Sequence, residues 1–315
     1  MINRIAVLGA GTMGHGIAES FAMYGYEVNL YEISDDTRNK VKNEIKNELE
    51  FLGEEGILRR EDIKLILDRI SLYSQLESAT KDADYVIEAL PEKLELKQVV
   101  FEQLDRICHG HTIFASNTSS LKLDDMMANV SEKRRKRMMV NHWYNPAHIM
   151  PIVELSFFGN IPEDIYKEVE QLYNKIGKQT VKVLKDVPGL VANRIQQGVA
   201  REVFSLIEMG VAEPEDIDKA LKFGPAFRYA TTGQLEIADF GGLDIWCTVS
   251  DNLLSVMDNS RHANPLLKQK VNAGKLGIKT GEGFYKYPKE ELEEIKKRYM
   301  KKLVNQLKAS KLYIQ

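Results

Sequence analysis

The feature that most constrains the fold is the glycine-rich turn in the opening segment RIAVLGAGTMG. Gly9, Gly11 and Gly14 form the pattern G-x-G-x-x-G, with Thr12 and Met13 inside it. The pattern follows a short apolar run typical of a buried strand and opens a helical pattern. Such glycines allow a tight turn, the close approach of backbone to a pyrophosphate, and tight packing of helix on strand. The segment therefore predicts a dinucleotide-binding strand–turn–helix with these five residues at the cofactor.

A single acidic residue predicts which dinucleotide binds. Glu32 ends the second apolar run, YEVNLYE, where a carboxylate can accept a hydrogen bond from a ribose 2′-OH and repels a 2′-phosphate. This favours NAD over NADP. The alternative is a solvated glutamate at the end of a strand, since Asp35 and Asp36 lie nearby and leave the register open.

The order of the patterns predicts two domains. Short apolar runs such as YVIEAL, TIFASN and MMVNHWY alternate with helical patterns, which is typical of a Rossmann-type α/β domain with a mostly parallel sheet. A long charged stretch between Glu32 and Asp84 predicts a helical hairpin insert. Beyond the run KQTVKVLK the patterns are helical. We therefore predict an NAD-binding domain at 1–186 and an all-α domain at 187–315.

Composition excludes several functional classes. The 315 residues carry a formal net charge of -3, so no nucleic acid or anionic membrane surface is expected as a partner. No apolar run approaches the roughly 20 residues of a membrane helix, and no charged-then-apolar leader precedes the first strand. Two cysteines without metal-ligand spacing predict neither a disulfide framework nor a metal site. These features favour a cytoplasmic protein.

Two polar residues stand inside apolar runs of the segment MMVNHWYNPAHIMPIVELSFF. His142 lies in the first run and Glu154 in the second, on either side of Asn145-Pro146. An ionised carboxylate in an apolar strand is costly unless it is paired. A histidine whose second nitrogen is held by a carboxylate can act as a general base. The segment therefore predicts an acid–base pair, although an isolated histidine in an apolar run is more often a core residue.

These motifs together resemble the L-3-hydroxyacyl-CoA dehydrogenase family. The resemblance is carried by the glycine turn and by IFASNTSSL, NHWYNP, PGLVANR and KTGEGFYKY, spread over nearly the whole chain. It implies a two-domain enzyme that oxidises the 3-hydroxyl of an acyl thioester with NAD, and a helical domain that binds substrate and forms a homodimer. The implied setting is fatty acid metabolism.

The resemblance also implies roles for individual residues. His142 would be the general base and Glu154 its orienting partner, while Ser119 and Asn193 would hold the substrate oxygen. Further residues would line the cofactor site: Glu92, Lys97, Asn145 and Lys279.

Plainer alternatives exist for several of these residues. Ser119 sits among other hydroxyl residues in a turn, and Asn193 could cap the helix after Pro188. Lys97 and Lys279, taken alone, fit ordinary surface lysines. Three other histidines have no partner in the sequence pattern and are predicted to be structural, namely His15, His111 and His148.

Two features depart from the acyl-CoA enzymes. The hairpin insert reads NELEFLGEEG, and its acids would repel the phosphates of CoA. The helical domain reads FGPAFRYATTGQLEIAD, which, with PEKLELK and IMPIVEL, resembles the branch that contains L-gulonate 3-dehydrogenase, also called lambda-crystallin, and L-carnitine dehydrogenases. That branch acts on free 3-hydroxy acids. Arg228 could then bind a substrate carboxylate through two hydrogen bonds, or form a salt bridge within its own domain.

The sequence thus predicts NAD-dependent oxidation of a short L-3-hydroxyacyl-CoA, such as 3-hydroxybutyryl-CoA. The closest alternative is a dehydrogenase of a free 3-hydroxy acid of the L-gulonate or L-carnitine type. A more distant alternative is a non-catalytic, crystallin-like structural or NAD-sensing protein. The presence of all four predicted catalytic residues argues against it, namely His142, Glu154, Ser119 and Asn193.

Overall fold

The computed structural model describes residues 2–313, and the chain divides into two compact units, Met1–Val191 and Ala192–Gln315. The first unit is built on an eight-stranded sheet with the strand order β3-β2-β1-β4-β5-β6-β7-β8. The strands are β1 (Arg4–Leu8), β2 (Glu27–Tyr31), β3 (Ile70–Tyr73), β4 (Tyr85–Glu88), β5 (Ile113–Ser116), β6 (Met138–Trp143), β7 (Ile152–Ser156) and β8 (Gln179–Val183).

Six of these strands, β1 to β6, run parallel, while β7 pairs antiparallel with β6 and β8 runs parallel to β7. Strands β4, β5 and β6 are buried along their whole length, as their apolar sequences require when both faces of a sheet are covered. The carboxyl ends of parallel strands meet at one edge, where open α/β sheets bind their ligands.

The helices of the first unit cover both faces of the sheet, and each face has its own hydrophobic core. These helices are α1 (Gly14–Met23), α2 (Asp35–Glu54), α3 (Ile63–Asp68), α4 (Leu76–Thr80), α5 (Leu94–Ile107), α6 (Leu123–Met126), α7 (Glu132–Arg135) and α8 (Glu163–Lys175).

The predicted hairpin insert consists of α2 and α3. The Ser34 side chain caps α2 by accepting a hydrogen bond from the Thr37 N–H, and two acids fill its first turn. Its buried positions follow helical spacing, namely Val41, Ile45, Leu49 and Leu52, and the first three belong to the hydrophobic core on that face. The stretch also contains the edge strand β3, which the sequence pattern does not predict, because ISLY is short and follows a strongly charged helix.

The second unit is helical. Its helices are α9 (Ala192–Glu208), α10 (Pro214–Phe223), α11 (Pro225–Tyr229), α12 (Gln234–Gly241), α13 (Leu243–Leu254), α14 (Pro265–Asn272) and α15 (Leu292–Ser310). No helix between residues 2 and 313 has the length and apolar character needed to cross a membrane. The prediction of a Rossmann-type sheet domain with a helical hairpin, followed by an all-α domain, is confirmed.

Candidate active site

The glycine turn connects β1 to α1 at the carboxyl edge of the sheet. Gly9 has φ +95°, and a Cβ placed there would lie 2.8 Å from the Ala89 carbonyl oxygen. A Cβ on Gly14 would lie 1.7 Å from the Gly9 carbonyl oxygen, so the first helical residue must be glycine. Gly11 has open space at its Cβ position, as expected where a pyrophosphate would approach. Thr12 is exposed and Met13 immediately precedes α1.

The Glu32 side chain, which directly follows β2, is hydrogen-bonded to the backbone of this turn. One carboxylate oxygen accepts a hydrogen bond from the Ala10 N–H at 3.0 Å, and the other accepts from the Ser34 N–H at 2.9 Å. The side chain thus lies beside the glycine turn, where a ribose would be expected. Each carboxylate oxygen retains a further lone pair with which it can accept from a ribose hydroxyl.

His142 and Glu154 are direct cross-strand neighbours in the antiparallel pair β6–β7. His142 Nδ1 lies 2.8 Å from Glu154 Oε2, the histidine side chain is 7% exposed, and the glutamate is fully buried. Because the carboxylate can only accept, Nδ1 carries the proton and Nε2 of the neutral ring is left as the basic nitrogen. The Tyr144 ring packs edge-on against the imidazole, with ring centroids 5.0 Å apart.

A tight turn at the end of the first unit holds the other oxygen of Glu154. The Val191 N–H donates to Glu154 Oε1 at 2.9 Å, and the Gly189 N–H donates to the Ser119 carbonyl oxygen at 3.0 Å. Leu190, between them, is buried with φ +48°, a left-handed backbone conformation that is unfavourable for leucine. The turn therefore links the acid–base pair to the loop that carries Ser119.

A buried ion cluster supports the same loop. The Lys97 ammonium lies 3.0 Å from Glu88 Oε2 and 2.7 Å from Glu92 Oε2, and the lysine side chain is 1% exposed. Burial raises the pKa of Glu88, although Lys97 and Ser116 act in the opposite direction. Lys97 is thus a buried residue and not the ordinary surface lysine that the sequence alone suggests.

Glu92 ties this cluster to the loop after β5. Its Oε1 accepts hydrogen bonds from the Thr118 hydroxyl, the Ser119 N–H and the Ser120 N–H. Burial alone would raise the pKa of Glu92, but hydrogen bonds from Lys97 and from the loop outweigh it and lower the pKa to about 2. The carboxylate is therefore ionised at neutral pH and fixes the backbone at Ser119.

Replacement of Lys97 with Met should destabilise the first unit strongly, because it leaves Glu88 buried without a counter-charge. We expect the free energy of unfolding to fall by about 3–5 kcal/mol, measured by urea denaturation. The double variant Glu88→Gln/Lys97→Met removes both charges and should recover part of the loss. A Lys97→Met variant as stable as the parent protein would contradict a structural role for the cluster.

The other predicted site residues lie on a connecting loop or on the second unit. Asn145 is exposed in the connection after β6. Asn193 is half-buried in the first turn of α9, Arg228 is exposed on α11, and Lys279 is exposed after α14. Their roles at the cofactor and the substrate stay predictions.

Three residues at the site are absent from the sequence predictions. Glu88 is a carboxylate in the apolar run YVIEAL, the same signal that marks Glu154. Asn117 accepts a hydrogen bond from the Trp143 N–H at 2.8 Å and so joins the end of β5 to the end of β6. Tyr144 follows β6 directly, and nothing in the sequence predicts its packing on His142.

The glycine turn at the carboxyl edge of the sheet defines the class of the first unit as a nucleotide-binding domain. Sequence models of one family match most of the chain. The model of the 3-hydroxyacyl-CoA dehydrogenase NAD-binding domain covers residues 4–187, and that of the C-terminal domain covers residues 189–287. The chain belongs to the 3-hydroxyacyl-CoA dehydrogenase family. It is an NAD-dependent oxidoreductase that acts on a secondary alcohol.

Named relatives fall into more than one substrate class. A probable 3-hydroxybutyryl-CoA dehydrogenase of Bacillus subtilis is 38% identical over 91% of this chain and 98% of its own length. The human mitochondrial hydroxyacyl-coenzyme A dehydrogenase is 33% identical over 91% and 92%. A 5-formyl-3-hydroxy-2-methylpyridine 4-carboxylate 5-dehydrogenase of Mesorhizobium japonicum is 32% identical over 96% and 97%.

Solved structures similar to this chain also include both an acyl-CoA enzyme and a pyridine-carboxylate enzyme. A crystal structure of a 5-formyl-3-hydroxy-2-methylpyridine 4-carboxylic acid 5-dehydrogenase matches with a TM-score of 0.89 and 30% identity over 99% of both chains. The (S)-3-hydroxybutyryl-CoA dehydrogenase of Ralstonia eutropha matches with a TM-score of 0.74 and 34% identity, over 92% of this chain and 100% of its own.

Proposed function

We propose that the protein oxidises the 3-hydroxyl of a short L-3-hydroxyacyl-CoA, such as 3-hydroxybutyryl-CoA, to the 3-ketoacyl-CoA, in fatty acid metabolism. The observation that carries the proposal is the buried pair His142–Glu154, which lies beside the Ser119 loop in a chain of this family. The reaction removes a proton from the hydroxyl and a hydride from the same carbon. NAD, when bound, supplies the acceptor for the hydride.

In this mechanism His142 Nε2 takes the hydroxyl proton, and Glu154 stabilises the imidazolium that forms. Glu154 can do so without moving, because both of its oxygens already accept hydrogen bonds, from the imidazole and from the Val191 N–H. The Ser119 side chain is half-buried and has no hydrogen-bond partner within residues 2–313. It would therefore donate to the substrate oxygen. The family resemblance implies the same role for Asn193.

A second candidate is a dehydrogenase of a free carboxylic acid. The pyridine-carboxylate enzyme matches 99% of the chain, which includes the helix α15 that lies beyond the C-terminal family model. The hairpin insert also offers CoA no net positive charge. Its cleft of about 640 Å³ is lined by three basic and three acidic side chains: Lys46, Arg60, Lys64, Glu50, Glu54 and Asp68.

The experiment that separates the candidates measures NADH absorbance at 340 nm with two sets of substrates. One set is acetoacetyl-CoA with NADH. The other is NAD with L-gulonate, L-carnitine, free 3-hydroxybutyrate or 5-formyl-3-hydroxy-2-methylpyridine 4-carboxylate. We expect efficient turnover of the thioester. Turnover of a free acid alone would refute the acyl-CoA proposal and support the second candidate.

Arg228→Ala gives an independent test of the substrate class. For a thioester we expect KM and kcat within twofold of the parent values, because the substrate offers no carboxylate. If a free acid is bound by Arg228, loss of a charge-assisted hydrogen bond worth about 1.5–3 kcal/mol should raise KM by roughly 10- to 150-fold. Lys222→Ala, at another exposed basic residue of the same unit, is the control and should change neither value.

We also propose that the protein forms a homodimer through its helical unit. Several large apolar side chains of that unit are more than two-thirds exposed: Phe223, Phe227, Leu235, Phe240 and Val256. Exposed apolar side chains in this number indicate a surface that a partner covers, and an isologous contact between two copies would suffice.

The dimer predicts a mass near twice 35.9 kDa by light scattering at micromolar concentration. Leu235→Asp/Phe240→Asp should shift the mass towards the monomer, because each aspartate would be buried in the contact. Ile33→Asp, at a residue of the first unit that is 76% exposed, should leave the mass unchanged. A monomeric parent protein would contradict the proposal.

A further inference from the structure

A second cluster of ionisable side chains lies where α1, α2 and the connection between β6 and β7 meet. His15 and Glu19 lie one helical turn apart on α1, Glu48 lies on α2, and His148 lies in the connection. The sequence pattern predicts that His15 and His148 are structural residues without partners. Both histidines face carboxylates, so the sequence pattern missed their partners, while no observation contradicts a structural role for them.

Three of these side chains converge on one point. His148 Nδ1 lies 3.7 Å from Glu19 Oε2 and 3.7 Å from Glu48 Oε2. One ligand atom from each of the three residues lies within 4.8 Å of the other two. Zinc binds nitrogen and oxygen ligands at about 2.0–2.2 Å, which places two ligands of one ion about 3–4 Å apart. A small contraction would therefore bring all three atoms onto a single cation.

The cluster lacks the hydrogen bonds that buried charges need. Glu19 is fully buried, and neither of its carboxylate oxygens has a hydrogen-bond partner in the described part of the chain. The same holds for Glu48 Oε2. Leaving a buried carboxylate without a donor or counter-charge is costly, so these two acids together indicate a ligand that supplies positive charge.

The nearest lysine does not supply that contact. Lys178 is buried close to Glu19, but its ammonium donates hydrogen bonds to the Ala147 carbonyl at 2.7 Å and the Met150 carbonyl at 2.8 Å. It thus orders the backbone on either side of His148 and leaves the Glu19 oxygens without a donor.

Two further features shape the site. The imidazole of His15 contacts the Gly11 carbonyl at 2.7 Å and Glu48 Oε1 at 3.2 Å, so it orients Glu48 with Oε2 towards the cluster, as outer-shell partners of metal ligands do. Gly16 allows the close approach of His148 to α1, because a Cβ there would lie 3.3 Å from His148 Nδ1.

We propose that Glu19, Glu48 and His148 bind one divalent transition-metal ion, of which Zn²⁺ best suits one imidazole and two carboxylates. The ion would join α1, which begins at the glycine turn, to α2 and to the connection that leads into β7. Its role is structural, because the site includes neither His142 nor Glu154. The proposal does not depend on which substrate the enzyme takes.

The test uses the full-length protein after treatment with a chelator and gel filtration. Isothermal titration with ZnCl₂ should show one site per chain, and the unfolding temperature should rise with Zn²⁺ but not with the same concentration of MgCl₂. X-ray absorption at the zinc edge should show only nitrogen and oxygen neighbours at about 2.0–2.1 Å.

The variant Glu19→Gln/His148→Gln should lose at least tenfold in Zn²⁺ affinity and lose the temperature shift. The control Glu50→Gln/His111→Gln makes the same changes at exposed residues and should bind like the parent protein. The unfolding temperature of each metal-free variant establishes that it folds. Equal Zn²⁺ affinity in the two double variants, or no Zn²⁺ site in the parent protein, would overturn the proposal.

Discussion

Replacement of His142 with Gln should lower kcat for the preferred substrate by about 10²- to 10⁴-fold, because the reaction loses its general base. Glutamine is close in size to histidine and can still donate to Glu154, so the carboxylate stays hydrogen-bonded and the fold should persist. The NADH dissociation constant, measured by fluorescence titration, should change little. The defect would therefore appear in kcat and not in cofactor binding.

The matched control is His111→Gln, the same substitution at an exposed histidine whose nearest partner is Asp84. It should keep full activity. Glu154→Gln should approach the effect of the His142 variant, since an amide in place of the carboxylate neither fixes the tautomer nor stabilises an imidazolium. Full activity in the His142 variant would exclude the proposed mechanism, and lost NADH binding would indicate a structural defect instead.

Replacement of Gly14 with Ala should prevent formation of the glycine turn. The added Cβ would lie 1.7 Å from the Gly9 carbonyl oxygen, far inside van der Waals contact, and the obstruction is backbone that cannot rotate away. We expect the free energy of unfolding to fall by about 3 kcal/mol or more, with loss of NADH binding.

The variant Gly11→Ala distinguishes an effect on protein stability from an effect on cofactor binding. No atom lies within 4 Å of the position that the added methyl group would take, so stability should stay within about 0.5 kcal/mol of the parent value. If the pyrophosphate approaches this glycine, the methyl group should still weaken NADH binding by about tenfold or more. Unchanged NADH affinity in Gly11→Ala would show that the cofactor lies elsewhere.

The parts of the molecule that the sequence predicts are those with local signals. The glycine turn is one, because its spacing reflects a steric requirement at Gly9 and Gly14. The need for a partner at His142 and Glu154 is another, because polar residues in buried strands are costly unless they are paired; their direct contact follows only from the antiparallel register of β6 and β7. The catalytic role of the pair stays a prediction, which the His142 and Glu154 variants test.

Other features depend on residues that are distant in the sequence and could not be predicted. Lys97 appears as an ordinary helical lysine, and its burial follows only from two acids, Glu88 and Glu92, that the fold brings to it. Likewise, His148 faces Glu19 because the connection after β6 packs closely on α1 at Gly16. In each case the sequence identifies the ionisable residue, but it does not identify the residue that lies beside it in the fold.

The reversal of direction between β6 and β7 also has a consequence for the order of folding. It pairs His142 with Glu154 across only 12 residues of chain, whereas the pairing of β1 with β4 joins Ile5 to Tyr85. Closing a short loop costs less entropy than closing a long one, so contacts that are local in sequence tend to form first. We therefore expect the β6–β7 hairpin, with its histidine and glutamate already opposed, to protect its amides from hydrogen exchange earlier in refolding than β1 does.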